Sequence, residues 1–200
     1  MNNINIRKAR PEDAKDFAKL AVFTAPEYFD LLFGPATSNI LENLFRRPGN
    51  IYSFEHAYIM EVDGEVAGMT AFYSYKQKNK ALAIFVMLLL RYMGLRFFAQ
   101  IQSLLRFGSI FVTIRKGDLY STNSAIYPKF RRAGLGKTLF NYSAEKAREL
   151  YLKRVVVDVK ADNVNAIALR ETLGFKAERV LPVLRIKGKV FDYIRMVKEV

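Results

Sequence analysis

Two hundred residues carrying a net charge of +13 and no cysteine already narrow the choices. The length suits one domain, residues 1–200, and a 51% hydrophobic composition is enough for a sizeable core. Without cysteine there are no disulfides, thiolate metal sites or acyl-cysteine intermediates, and the single His56, read as a strand residue near a surface, cannot build a histidine metal centre.

The basic excess admits acidic partners. No Lys/Arg tract has the length of a nucleic-acid arm, so nucleic acid is not expected and most of the charge reads as solvated surface. The start, Met-Asn-Asn-Ile-Asn-Ile-Arg, lacks the apolar stretch of a signal peptide, which points to a cytoplasmic chain.

In chain order, Ile4 to Ala9 reads as a first strand. Pro11, with Glu12 and Asp13 in the first turn, opens a helix through about Val22, whose apolar face carries Ala14, Phe17, Ala18 and Ala21. Phe23 to Pro35 is an aromatic loop or short helix, and a further helix covers Ser38 to Phe45. Ala57 to Val62 and Glu65 to Tyr75 flank Asp63-Gly64, a strong two-residue hairpin signal.

The stretch from Lys80 to Arg106 reads as an extra helical segment, about residues 80–107. Its charge-free run, Ala81 to Leu90, falls far short of the roughly 20 residues of a membrane span. From Arg91 it plots as one amphipathic helix. Arg91, Arg96, Gln100, Gln102, Ser103 and Arg106 fall on one half, and Leu90, Met93, Phe97, Phe98, Ile101, Leu104 and Leu105 on the other. Two uses stay open: packing on the domain or in a homodimer contact, or, through residues 81–107, lying on an anionic membrane.

Leu119 to Tyr127 reads as a strand and Leu135 to Tyr151 as a helix, with Arg131-x-x-Gly134-x-Gly136 between them. Small residues there let backbone N–H groups approach a ligand, and the helix start adds unpaired donors and a positive dipole end. That combination is a pyrophosphate cradle, so the ligand is a nucleotide-like phosphorylated molecule. A Walker A loop is excluded because Arg131 stands at its first glycine, and no G-x-G-x-x-G fingerprint occurs. Val155 to Val159 then reads as a buried strand, and Asp162 or Asn163 caps a helix through Leu173 that Gly174 ends. Strands near Arg179 to Ile186 and Val190 to Val197 form a last hairpin around Lys187-Gly188-Lys189.

The stretch Pro128-x-x-Arg131-x-x-Gly134-x-Gly136 resembles the acetyl-coenzyme A loop of the GNAT N-acetyltransferases. Asn163-x-x-Ala166-x-x-Leu169-Arg170-x-x-x-Gly174-Phe175 is similar to that family's N-x-x-A-x-x-L-Y-x-x-x-G-F pattern. The resemblance covers about residues 118–176. It implies an α/β (α+β) fold: a central mixed, mostly antiparallel sheet of six to seven strands flanked by helices. The insertion then lies between the third and fourth strands. It implies an acetyl-CoA-dependent N-acetyltransferase acting on a primary amine by direct attack in a ternary complex, with acetyl-CoA as co-substrate and no metal.

The implied cofactor-binding residues are Ile126, Tyr127, Arg131, Arg132, Ala133, Gly134, Leu135, Gly136, Lys137, Thr138, Asn163 and Ala166. Ser124 and Ala125 join the first two beside the thioester and pantetheine. Attack needs a neutral amine. Asp118, at the start of the fourth strand, is the first candidate base, ahead of Glu61 and Glu55.

Arg170 stands where the family usually has a thiolate-protonating tyrosine. It is a poor acid but a fixed cation, suited to stabilising the thiolate, or else it points to solvent. A second class therefore stays open: a non-catalytic GNAT-like domain binding coenzyme A as a sensor or interaction module. The acceptor leaves no motif; Phe23 to Phe33, with Glu27 and Asp30, reads either as core or as a wall of its pocket.

Overall fold

The computed structural model describes residues 3–111 and 114–200; Met1 and Asn2, which begin the segment read for a leader, lie outside them. Strand β1 (Ile4–Lys8) leads through a 3₁₀ turn at Pro11–Asp13 into α1 (Ala14–Thr24). Asp13 sets this entry. Its carboxylate accepts the Arg10 N–H at 2.7 Å and two guanidinium N–H groups of Arg7 at 2.8 Å. Burial alone would raise its pKa, but these bonds pull it below the usual carboxylate range.

Phe23 to Pro35, expected as loop or short helix, contains α2 (Pro26–Phe33), with proline at its first position. Helix α3 (Thr37–Arg46) follows, then the hairpin β2 (Ala57–Val62) and β3 (Glu65–Ser74). His56 is not a surface strand residue. It closes a 3₁₀ turn at Phe54–His56 and is buried against the Tyr73 ring.

The insertion differs most from expectation. It starts at Tyr75 rather than near residue 80, and it is two helices: α4 (Tyr75–Met93) and α5 (Arg96–Phe111). Ser74 and Gln77 form a capping box, the Ser74 N–H donating to Gln77 Oε1 at 2.9 Å, which fixes the start. Gly94, with φ +55°, breaks the single helix expected from Arg91. The expected apolar half is also divided. Met93 and Phe97 face inward, whereas Leu90, Phe98, Ile101 and Leu105 face solvent, and the expected polar residue Ser103 is buried.

Beyond it come β4 (Asp118–Ile126), α6 (Leu135–Glu149), β5 (Arg154–Lys160), α7 (Val164–Thr172), β6 (Lys176–Val180), β7 (Leu184–Ile186), β8 (Lys189–Phe191) and β9 (Tyr193–Glu199). The last hairpin is shorter than expected: only β7 and β8 pair around Lys187-Gly188, as a separate two-stranded sheet. Strands β6 and β9 instead join the main sheet, whose order is β1-β2-β3-β4-β5-β9-β6, all antiparallel except β4 with β5.

Alternation divides the core across the sheet. Ile59, Met69 and Ala71 pack under α1 to α5, while Phe72, Leu119, Val155 and Val157 pack with Phe140 and Ala144 of α6. The arrangement is the mixed, mostly antiparallel sheet expected, with helices on both faces and the insertion between the third and fourth strands.

Candidate active site between two splayed strands

β4 and β5 pair only from Asp118↔Arg154 to Tyr120↔Val156, although β4 continues to Ile126 and β5 to Lys160. Beyond Tyr120 they diverge around a cleft of about 530 Å³. The divergence has a local cause. Ala71 pairs with Thr122 and Met69 with Ala125, so Asn123 and Ser124 together oppose Thr70. This is a β-bulge, with Asn123 at φ +50°, and a bulge bends its strand.

Thr70 Oγ1 lies 2.8 Å from Ser124 Oγ, holding the distortion. Gly68 permits the close approach beside it: a Cβ there would sit 2.6 Å from the Ala125 carbonyl oxygen. The result is a stretch of β4, Ser121 to Ile126, with no β5 ladder partner and its main chain at the cleft. Such groups need partners from elsewhere.

At the end of β4 the chain turns through Pro128–Phe130 and enters α6 at Gly134, whose φ is +75°. No side chain caps α6, so the first-turn amides at Leu135, Gly136 and Lys137 have no intrahelical partner. Arg131 Nε donates to the Ile126 carbonyl at 3.2 Å, which ties the loop to the strand end.

Ile126, Arg131, Gly136, Asn163 and Ala166 all line the cleft. Arg132, Ala133, Gly134 and Lys137 are exposed around the helix start, with Thr138 one turn in. The Leu135 side chain is buried with Met60, Val62 and Ala67, so only its amide can serve a ligand. Tyr127, expected in the cleft, turns its ring away, and its hydroxyl donates to Asp16 of α1 at 2.6 Å. The uncapped helix start, the glycines and the basic side chains fit a pyrophosphate.

Asn163 caps α7, its Oδ1 accepting the Ala166 N–H at 3.1 Å. One turn further, Arg170 lines the cleft rather than pointing to solvent. It donates to the Ala166 carbonyl at 2.8 Å and lies 4.7 Å above the Phe140 ring. Its buried Nε has no partner among the described residues. Burial pushes its pKa down to about 10, which leaves it cationic at neutral pH.

The other end of the cleft is aromatic. Phe23, Tyr28, Phe29, Tyr52, Phe191 and Tyr193 line it, with Tyr73 and Tyr120 at the strand side. Burial raises the pKa of every one of these phenols, so they remain protonated donors. Tyr120 donates to Asp158 at 2.9 Å, and Asp158 takes two further bonds of 2.8 Å from Arg195. Residues Asp158 and Arg195 are 2% and 3% exposed at the side chain.

The three carboxylates considered as bases do not gather here. Asp118 lies at the paired end of β4, 2% exposed, accepting from Arg154 at 2.8 Å and the Arg115 N–H at 2.9 Å. Glu61 holds Arg7, and Glu55 accepts the Gly49 N–H. Asp158 was missed because it sits within a β-branched run that reads as core. A lone carboxylate in such a run was the available signal.

The sequence profile of the acetyltransferase (GNAT) family matches residues 25–175. The chain belongs to this family of acyltransferases. Among solved structures, an N-acetyltransferase from Staphylococcus aureus Mu50 is 18% identical, with 96% of this chain and 99% of that one covered and a TM-score of 0.66. A Bacillus subtilis acetyltransferase in complex with CoA is 13% identical, with coverage of 100% and 99% and a TM-score of 0.56. At these identities the likeness is one of fold. A search of curated proteins gives no match.

Proposed function

We propose that this chain moves an acetyl group from acetyl-CoA to a primary amine by direct attack in a ternary complex. The observation that carries the reading is the loss of β4–β5 pairing beyond Tyr120↔Val156, which leaves a main-chain edge facing the cleft beside an uncapped helix start. Arg131, Arg132, Lys137 and the first-turn amides of α6 hold the phosphates, with Gly134 supplying the turn and Ala133 and Thr138 flanking it. The edge from Ser124 to Ile126 orients the pantetheine and thioester. A donor there polarises the carbonyl as an oxyanion develops.

Arg170 faces the sulfur as a fixed cation and stabilises the departing thiolate without giving up a proton. The amine enters at the aromatic end. Asp158 is committed to Arg195 and Tyr120, so it is a poor base. Burial among phenols instead disfavours the charged ammonium and lowers its pKa, easing deprotonation through water.

The absent tyrosine acid also favours a second reading, a coenzyme A-binding sensor without turnover. A thiol-release assay with a panel of amines separates the two, and since the chain has no cysteine the only thiol detected is the product. Amine-dependent release supports transfer. Binding of coenzyme A with no release on any amine supports the sensor.

A further inference from the structure

The insertion carries more apolar surface than its packing uses. Helix α4 buries Ala81, Phe85, Leu88 and Leu89, and α5 buries Phe97 and Phe107. Phe107 packs on Tyr28 and Phe191, which line the cleft, so α5 is anchored to the domain through this inward side chain. Each helix has a second apolar row. Leu82, Val86 and Leu90 recur every fourth residue along the outside of α4, and Phe98, Ile101 and Leu105 follow the same helical period outside α5. Leu95, in the turn that joins the helices, is 86% exposed.

Charge identifies what suits these rows. From Val66 to Gly117 the sequence has no Asp or Glu. Lys76, Lys80, Arg91 and Arg96 are exposed on the insertion, and none of them has an acidic partner among the described residues. Two copies meeting on these rows would bring like charges together without compensation. A bilayer containing anionic lipid offers both complements, an acyl layer for the leucines and phenylalanine and a negative surface for the cations. Among the described residues no helix is long and apolar enough to cross a membrane, so any engagement is at the surface.

We propose that the α4–α5 hairpin is a docking element for the surface of an anionic lipid bilayer, entered by Leu95 and the outer rows and steadied by the surrounding Lys and Arg side chains.

The test is co-sedimentation of the full chain with vesicles of phosphatidylcholine alone and of phosphatidylcholine with phosphatidylglycerol. The expected result is binding to the anionic vesicles only, weakening as salt is raised. L95E/F98E changes two exposed side chains, so its circular dichroism should match the parent while its affinity for anionic vesicles falls at least tenfold. Failure of the parent to bind anionic vesicles would overturn the proposal. So would equal binding by the variant, which would reduce the effect to diffuse charge. A parent that sediments as a dimer free of lipid, and is made monomeric by L95E/F98E, would overturn it in favour of a self-association face.

Discussion

The end of the cleft at the start of α6 is built from main chain, and the aromatic end from side chains. At the first, the groups presented are amides at the start of α6 and the edge of β4 that β5 leaves open, shaped by Gly134 and the bulge at Asn123. At the second, phenols from α2, from the segment before β2, and from β3, β4 and β9 line the cleft with Asp158, which Tyr120 and Arg195 hold. A main-chain site tolerates changes in side chain while its backbone conformation holds. A side-chain site depends on packing brought together from distant parts of the chain, and it can be altered one residue at a time. The first suits a constant ligand and the second a variable one.

Substitutions can break this contrast at either end. The largest effect is expected for Asp158→Ala, which removes the carboxylate that takes two bonds from buried Arg195. Such losses cost about 3–5 kcal/mol, read as a lowered urea midpoint. Replacing both residues by apolar ones should recover most of the loss, and a variant as weak as Asp158→Ala would show that the pair itself matters.

At the other end, Gly134→Glu should cost at least about a hundredfold in coenzyme A affinity by calorimetry, since more than one charge-assisted bond of roughly 1.5–3 kcal/mol is opposed. A folded variant with unchanged affinity would remove the phosphate assignment.

Arg170→Ala tests the junction of the two ends. One charge-assisted contact of roughly 1.5–3 kcal/mol corresponds to about a ten- to hundredfold fall in kcat. Arg170→Tyr should retain activity and add a basic limb to the pH profile. If both variants match the parent at every pH, Arg170 takes no part in the chemistry.

The smallest effect concerns His56, outside the cleft, as a control. Burial lowers its pKa, so the unfolded chain binds its proton more readily than the folded one. Its contribution is complete above the unfolded value of about 6.5 and shrinks as pH falls below it. The urea midpoint should fall between pH 8 and pH 5, and His56→Gln should reduce that fall. Asp13, with a lowered carboxylate pKa, responds only in more acid solution.

The same contrast explains what could be read from the sequence. The α6 loop and the α7 cap are contiguous, so Arg131, Gly134, Gly136 and Asn163 could be picked out from local sequence, whereas Arg170 was singled out only by the family resemblance. The strands of the main sheet followed from β-branched runs and the Asp63-Gly64 turn. The break at Gly94 was available in principle but lay within a run whose periodicity suggested one helix from Arg91, and the Ser74–Gln77 box was hidden because Ser74 and Tyr75 read as the end of the third strand. The two outer rows were hidden for a related reason: a helix with two apolar faces plots as one broad face. Asp118 was misplaced because a strand has two ends and the sequence does not say which one splays. The tyrosines that line the aromatic end share no spacing at all, since tertiary packing alone assembles them.

The bulge in β4 has one more consequence. It acts as a slip of phase along the strand. Before it, Tyr120 and Thr122 lie opposite Tyr73 and Ala71; after it, Ala125 lies opposite Met69 on that same side, and Tyr127 reaches α1. Even-numbered residues thus face the side of Ala71 and Met69 in the first half of the strand and odd-numbered ones in the second. Strict two-residue alternation would have put Ile126 where Tyr127 is. Removing Asn123 would restore the rhythm and give a more regular sheet, at the loss of the offset that lets one strand be core at its start and cleft wall at its end.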